Sequence, residues 1–129
     1  MRPVQPNTGA TMGSSFFNTD PFTDLTWGDL TFWAGKTVVA DGRMLQKNGA
    51  VTNLSRTGED HLIAWVMDEE MFATLVGFED GELFCRCGCH HDEVACEHAV
   101  ALILELIAYL RNKVPVPSVA ANDERFFLL

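Results

Sequence analysis

The chain has 129 residues, with nine Lys and Arg against eighteen Asp and Glu, a formal net charge of −9. That length supports one domain whose core buries roughly two-thirds of the unfolded surface. The charge disfavours phosphate-rich partners, because nucleic-acid affinity rests on Lys and Arg neutralising phosphates.

Residues 1–24 are rich in Pro, Gly, Asn, Ser and Thr with little apolar periodicity, which predicts a disordered or extended leader. Phe16, Phe17 and Phe22 are its candidate anchors. Thr26 or Asp29 can cap a helix from about 29 to 40 or beyond, with Leu30, Trp33 and Val38 on its buried face. Trp27 and Trp33 read as core residues. Asp41-Gly and Asn48-Gly mark breaks, the second a turn into the first strand.

Apolar and β-branched residues then bunch near 50–55, 61–67, 70–78 and 82–87, punctuated by Thr57-Gly, Asp68-Glu and Glu79-Asp-Gly. Consecutive short strands with such brief breaks predict an antiparallel meander of three or four strands. No Lys or Arg occurs between Arg56 and Arg86, where eight acids fall: Glu59, Asp60, Asp68, Glu69, Glu70, Glu79, Asp80 and Glu82. These read as solvated turns.

All four cysteines of the chain lie in Cys85-Arg-Cys87-Gly-Cys89-His-His-Asp-Glu-Val-Ala-Cys96-Glu-His98. Zinc wants four soft or borderline ligands in a tetrahedron, supplied as two pairs from two chain segments. On a strand, residues two apart share a face, so Cys85 and Cys87 form one such pair. Cys96 and His98 form the other if Cys96 stands just before a helix and His98 in its first turn. A thiolate at that helix end also gains from the positive N-terminus. Cys89 is an alternative partner for Cys87, and His90 and His91 read as solvated residues of the spacer. The N-terminal Met1-Arg-Pro-Val-Gln-Pro carries no apolar signal segment, so the thiols are expected to be reduced and metal-binding in a cytoplasmic protein, not paired in disulfides.

Cys85-x-Cys87, a spacer, and Cys96-x-His98 running into Ala99-Val-Ala-Leu-Ile-Leu resembles the SWIM-type zinc finger. Upstream, Phe32-Trp-Ala-Gly-Lys36, Asn48-Gly-Ala-Val51 and Leu62-Ile-Ala-Trp-Val66 can be laid on the helix and strand meander of bacterial members, so the resemblance spans about residues 29 to 110. It implies a structural zinc held by Cys85, Cys87, Cys96 and His98 in a domain of residues 25–113, with its core motif at 82–110. It also implies an adaptor role, since such modules are regarded as binding DNA or protein beside transposase-related proteins and Swi/Snf-type ATPases. Glu97 stands where the family usually has a basic residue. With the overall acidity, this turns the expectation towards protein partners with a basic surface, and DNA binding becomes the alternative. Lys36, Arg43 and Lys47 could share one helix side in that alternative.

A catalytic zinc would need an open water position and a nearby carboxylate base. His91-Asp-Glu93 matches half of the zinc deaminase signature, but its Pro-Cys-x-x-Cys half is missing, so an enzyme is not expected. The helix predicted from about 97 to 112 is apolar on most sides and must be covered on most sides. Interrupted by Glu105 and ended by Arg111, it is too short to span a bilayer. Pro115 and Pro117 start an extended tail, 114–129, whose terminal Arg125-Phe-Phe-Leu-Leu129 needs a docking surface on this domain or on another protein.

Overall fold

A computed structural model describes residues 21–90 and 94–129. The predicted leader therefore lies mostly outside the described residues, Phe16 and Phe17 among them. Its last part, Pro21–Asp24, is a single 3-10 turn that buries Phe22 edge-on against Phe78, with ring centroids 5.0 Å apart. Phe22 is thus a core residue.

Where one helix was expected there are two, α1 (Trp27–Ala34) and α2 (Lys36–Lys47). Thr26 caps α1 by accepting from the Asp29 amide, while the Asp29 carboxylate accepts from the Thr26 amide, a reciprocal capping box. The break falls at Gly35, whose φ of 92° is open to glycine but strained for other residues. Its amide closes α1 on the Thr31 carbonyl, and its own carbonyl accepts the Val39 amide of α2. Leu30 is buried as expected, but Trp27 is 53% exposed and carries the Arg43 guanidinium 5.8 Å from its ring centroid. The bend at Gly35 turns Trp27 outward to α2 instead of inward to the core.

The meander has four strands, β1 (Val51–Arg56), β2 (Leu62–Asp68), β3 (Glu70–Glu79) and β4 (Glu82–Cys87), paired in chain order and all antiparallel. Asp80 and Gly81, with φ of 53° and 81°, make the two-residue turn that joins β3 to β4 in the geometry Asp-Gly favours. In β1 the register slips between Thr52 and Ser55, and Asn53 adopts φ 56°, so two residues bulge opposite one.

The last helix, α3 (Glu97–Arg111), lies over one sheet face. That face presents Leu62, Ala64, Val66, Val76 and Cys87, and α3 answers with buried Ala99, Val100, Ala101, Leu102, Ile103 and Leu106. Helix α2 covers the other side of α3, so the near-continuous apolar surface of α3 is met on both flanks. The closest approach is at Gly42, where a Cβ would stand 2.6 Å from Val100 Cγ1 and 2.9 Å from the Glu97 carbonyl. Any larger residue there would force α2 and α3 apart. Gln46 Nε2 donates to Glu105 Oε1 at 2.9 Å across the same seam, which gives the acid interrupting α3 its partner.

After α3 the tail pairs with the free edge of β1: the Arg56 amide donates to the Pro117 carbonyl at 2.8 Å and the Val119 amide to the Arg56 carbonyl at 2.9 Å. It then crosses the second sheet face, where Ile63, Ala73 and Leu75 are buried, and forms a 3-10 turn at Glu124–Phe127. The docking residue is Arg125, only 5% exposed. Phe127 and Leu128 remain exposed. The architecture is the expected α+β arrangement, with a Cys/His cluster joining the sheet to the C-terminal helix.

Candidate metal centre

The cluster forms where β4 ends and α3 begins. Cys87 is the last residue of β4 and pairs with Thr74 of β3, so its side chain points to the face under α3. The chain then turns through Gly88 and Cys89, with the Gly88 amide donating to the Ala73 carbonyl at 2.9 Å and the His90 amide to the Cys87 carbonyl at 3.1 Å. This turn folds Cys89 back towards Cys87. On the other side, Cys96 is the N-cap of α3, in extended conformation at φ −119°, and His98 is the second helical residue, as expected.

The ligand atoms of Cys87, Cys89, Cys96 and His98 all lie within 4.8 Å of one another, so this Cys3His group can hold a metal ion. Cys87 and Cys96 are buried, as is His98, while Cys89 is half-buried. Cys85, preferred over Cys89 on sequence, is not in that group. It sits on the same face of β4 as Cys87, with Sγ 3.5 Å from the Val94 carbonyl. The physical reason is the tight turn: it returns Cys89 to the end of the strand, whereas Cys85 stands two residues back along it. None of the four cysteines is in a disulfide. His90 is exposed and outside the group, and His91 lies outside the described residues.

Three residues that sequence reasoning passed over hold the cluster from outside. Asp68, read as a solvated turn acid, ends β2 with its Oδ2 2.9 Å from His98 Nε2. An Nε2–H donated to that carboxylate leaves Nδ1, 3.3 Å from Cys87 Sγ, as the free lone pair facing the thiols. Metal-ligating histidines are commonly fixed this way, with the second nitrogen donating to a carboxylate. Phe72 stacks on the His98 ring at 4.7 Å and 22°, and Thr74 Oγ1 lies 3.3 Å from Cys87 Sγ. The rule that a ligating histidine needs an acceptor was the only signal for Asp68, and many acids could have answered it.

The electrostatics are those of thiols that resist ionising without a cation. The Cys87 thiol is pushed up to about 12, first by its hydrogen bond to Cys96 and then by burial. Cys96 is raised by its hydrogen bond with Cys85, and Cys85 is lowered by the same bond. Burial pulls His98 down, but hydrogen bonds to Cys87 and Asp68 outweigh it, and the net direction is upward. A divalent cation reverses this balance, since the thiolate is the ligating form. The Glu97 carboxylate also comes within 4.8 Å of the Asp68 and His98 ligand atoms, so the surroundings of the centre are acidic.

Replacing Asp68 by Asn should weaken metal affinity about 10-fold or more with little change in fold, because a neutral amide oxygen accepts from His98 more weakly than a carboxylate and does not raise the basicity of the ring as a charge does. Competition with a metal indicator measures this, and an unchanged affinity would remove Asp68 from the centre. No family model, curated protein or solved structure matches this chain. Among the described residues no helix is long and apolar enough to cross a membrane.

Proposed function

We propose that this protein is a structural-zinc interaction module, without turnover of its own, that binds a protein partner through an acid-rimmed apolar groove. The observation that carries the zinc reading is the donor set itself: three thiols and one imidazole on two chain segments, with that imidazole oriented by Asp68. Soft sulfur donors favour zinc over hard cations such as magnesium or calcium, and four protein donors close a tetrahedron without a water position. The family resemblance noted in the sequence rests on the same Cys-x-Cys and Cys-x-His pattern.

The partner reading rests on a groove of about 620 Å3 beside the centre, walled by Leu25, Phe32, Trp33, Phe78, Leu83 and Val94. Phe32 is 94% exposed at its lip and Val94 is exposed as well. Asp29 and Glu82 line it, Asp80 stands in the adjoining turn, and no Lys or Arg lines it. Such a surface suits a protein segment that presents an apolar anchor flanked by cations. Zinc with three thiolates and a neutral imidazole adds one more negative charge nearby.

Elemental analysis of protein purified without chelator is expected to give one zinc per chain; absence of metal would remove the centre. A Lys- and Leu-rich amphipathic peptide is expected to bind, and Phe32→Ser to weaken it by about tenfold, as loss of an aromatic anchor does. Equal binding by that variant would take the groove out of the proposal.

One observation favours the DNA-binding alternative. Lys36 and Arg43 line a shallow pocket of about 370 Å3 with Trp27, and Lys47 ends the same helix. Gel retardation at low salt that fades steeply as salt rises would establish it, and no retardation at micromolar protein would dismiss it.

A further inference from the structure

We infer that the partner segment binds in extended form, as a further strand along the outer edge of β4, with an apolar side chain in the groove and cations beside it at the Asp80–Glu82 end. The inference rests on the groove reading above, and it names the backbone conformation and side-chain pattern of what enters that groove. Sheet order leaves β4 at an edge: among the described residues it pairs with β3 alone. An edge strand turns every second residue's amide and carbonyl away from its neighbour, and a segment of another chain can take up those groups.

Register fixes which residues these are. The Gly88 amide donates to the Ala73 carbonyl, and Glu79 pairs with Glu82 across the two-residue turn. Counting in twos between those points, Glu82, Phe84 and Arg86 bond to β3, so Leu83 and Cys85 direct their backbone groups to the outer edge. At Cys87 the carbonyl on that edge already accepts the His90 amide. Leu83 is where edge and groove coincide: its side chain walls the groove on the α3 side of the sheet, and its amide and carbonyl face outward. A strand hydrogen-bonded there places the side chain opposite Leu83 on the groove side, towards Phe32, Phe78 and Val94. Its neighbours along the added strand point to the opposite face, where exposed Glu82 stands. Asp80 in the turn and Asp29 on α1 extend the negative charge past that end, while Arg86 near the other end opposes cations there. The pattern called for is an apolar side chain at every second position, with Lys or Arg between them at one end only. A helical segment supplies neither the edge hydrogen bonds nor this period.

The test uses the full-length zinc-loaded chain and two synthetic peptides of identical composition, built from Leu, Lys and Thr. In the first, Leu alternates with Lys at one end and with Thr at the other; in the second, the leucines take the spacing of one helix face. The alternating peptide is expected to bind at least about tenfold more tightly. N-methylating its backbone amides one at a time should weaken binding at every second position only, and bound peptide should slow hydrogen exchange at the Leu83 amide. Glu82→Lys, a change at an exposed side chain, should weaken the alternating peptide by about tenfold. Tighter binding by the helical isomer, or methylation effects without that alternation, would overturn the added strand and leave the groove reading in place. A Leu83 amide already protected in the free protein, whether by a second copy of the chain or by residues 1–20, would overturn it as well. No binding by either peptide would remove the groove reading and the strand with it.

Discussion

Removing the metal with a chelator is expected to lower the melting temperature by roughly 15 °C, since a ligand held at about a thousand times its dissociation constant contributes about 4 kcal/mol. Cys96→Ala and His98→Ala should reproduce that loss and no longer respond to added zinc. The reason is where the two residues stand. Cys96 begins α3 and His98 occupies its first turn, so the ion would fix the end of the helix that supplies much of the core. Cys96 gives the N-cap position no side-chain cap hydrogen bond of the usual kind, so the first turn of α3 is the part that most needs the ion. Hydrogen exchange is therefore expected to rise first at residues 97–101, before the rest of α3. The Leu102, Ile103 and Leu106 contacts with α2 and the sheet should keep the remainder compact. Identical melting curves with and without chelator, on protein shown to contain zinc, would mean that the ion holds nothing together.

Arg125→Ala is expected to destabilise the protein by about 3 kcal/mol, the largest effect of any change outside the metal centre, because it removes a buried cation that makes four side-chain hydrogen bonds to Asp123, Asn53 and Ser55. Arg125 Nε and Nη2 donate to the two Asp123 carboxylate oxygens at 2.9 and 3.1 Å, Nη1 donates to the Asn53 carbonyl, and Nη2 reaches Ser55 Oγ at 3.3 Å. The Asn53 carbonyl is available because the β1 bulge withdraws it from the ladder with β2. A buried cation is thus held by a carboxylate and by a backbone irregularity made for it. Arg125→Lys keeps the charge but not the planar fork, and should recover less than half of the loss. Denaturant midpoints measure both variants, and proteolysis of the tail after Lys113 should accelerate in the first. The hydrogen bond from Arg125, then that from the Arg125 amide, holds the Asp123 carboxyl below its ordinary value near 3.8. Its contribution is complete above that ordinary value and is lost as the pH falls through the lower folded value, so acid should loosen the tail. Wild-type stability in Arg125→Ala would show that the tail does not hold the second sheet face.

Much of the fold was legible because the signals were local. The four strand ranges fall within about two residues of expectation, since apolar alternation and the Asp80-Gly81 turn declare themselves in short windows. Thr26 and Asp29, both proposed as caps, prove to be the two halves of one capping box. The residue pattern ran one helix through Gly35, because a glycine inside a helical pattern reads as tolerated until its φ is known; only the resemblance, with its helix ending in Gly-Lys, pointed to a stop there. Trp27 misled for the same reason: its outward placement follows from the bend, not from its own hydrophobicity. At the centre, the strand period favoured Cys85 with Cys87, and Cys87 with Cys89 stood as the alternative that the Cys-x-Cys spacing also allowed.

What the amino-acid order alone determined is the chemistry available: four thiols and a histidine at close spacing, before an apolar helix, in an acidic chain. Local spacing carries that information because the periods of strand and helix place near neighbours without help from the rest of the chain. Only the tertiary structure decided which donors meet, that Asp68 from thirty residues upstream orients His98, and that Arg125 closes the second sheet face on a bulge more than seventy residues before it. Those pairings depend on how the sheet stacks its strands against α3 and the tail. Nothing in the sequence next to either residue carries that distance.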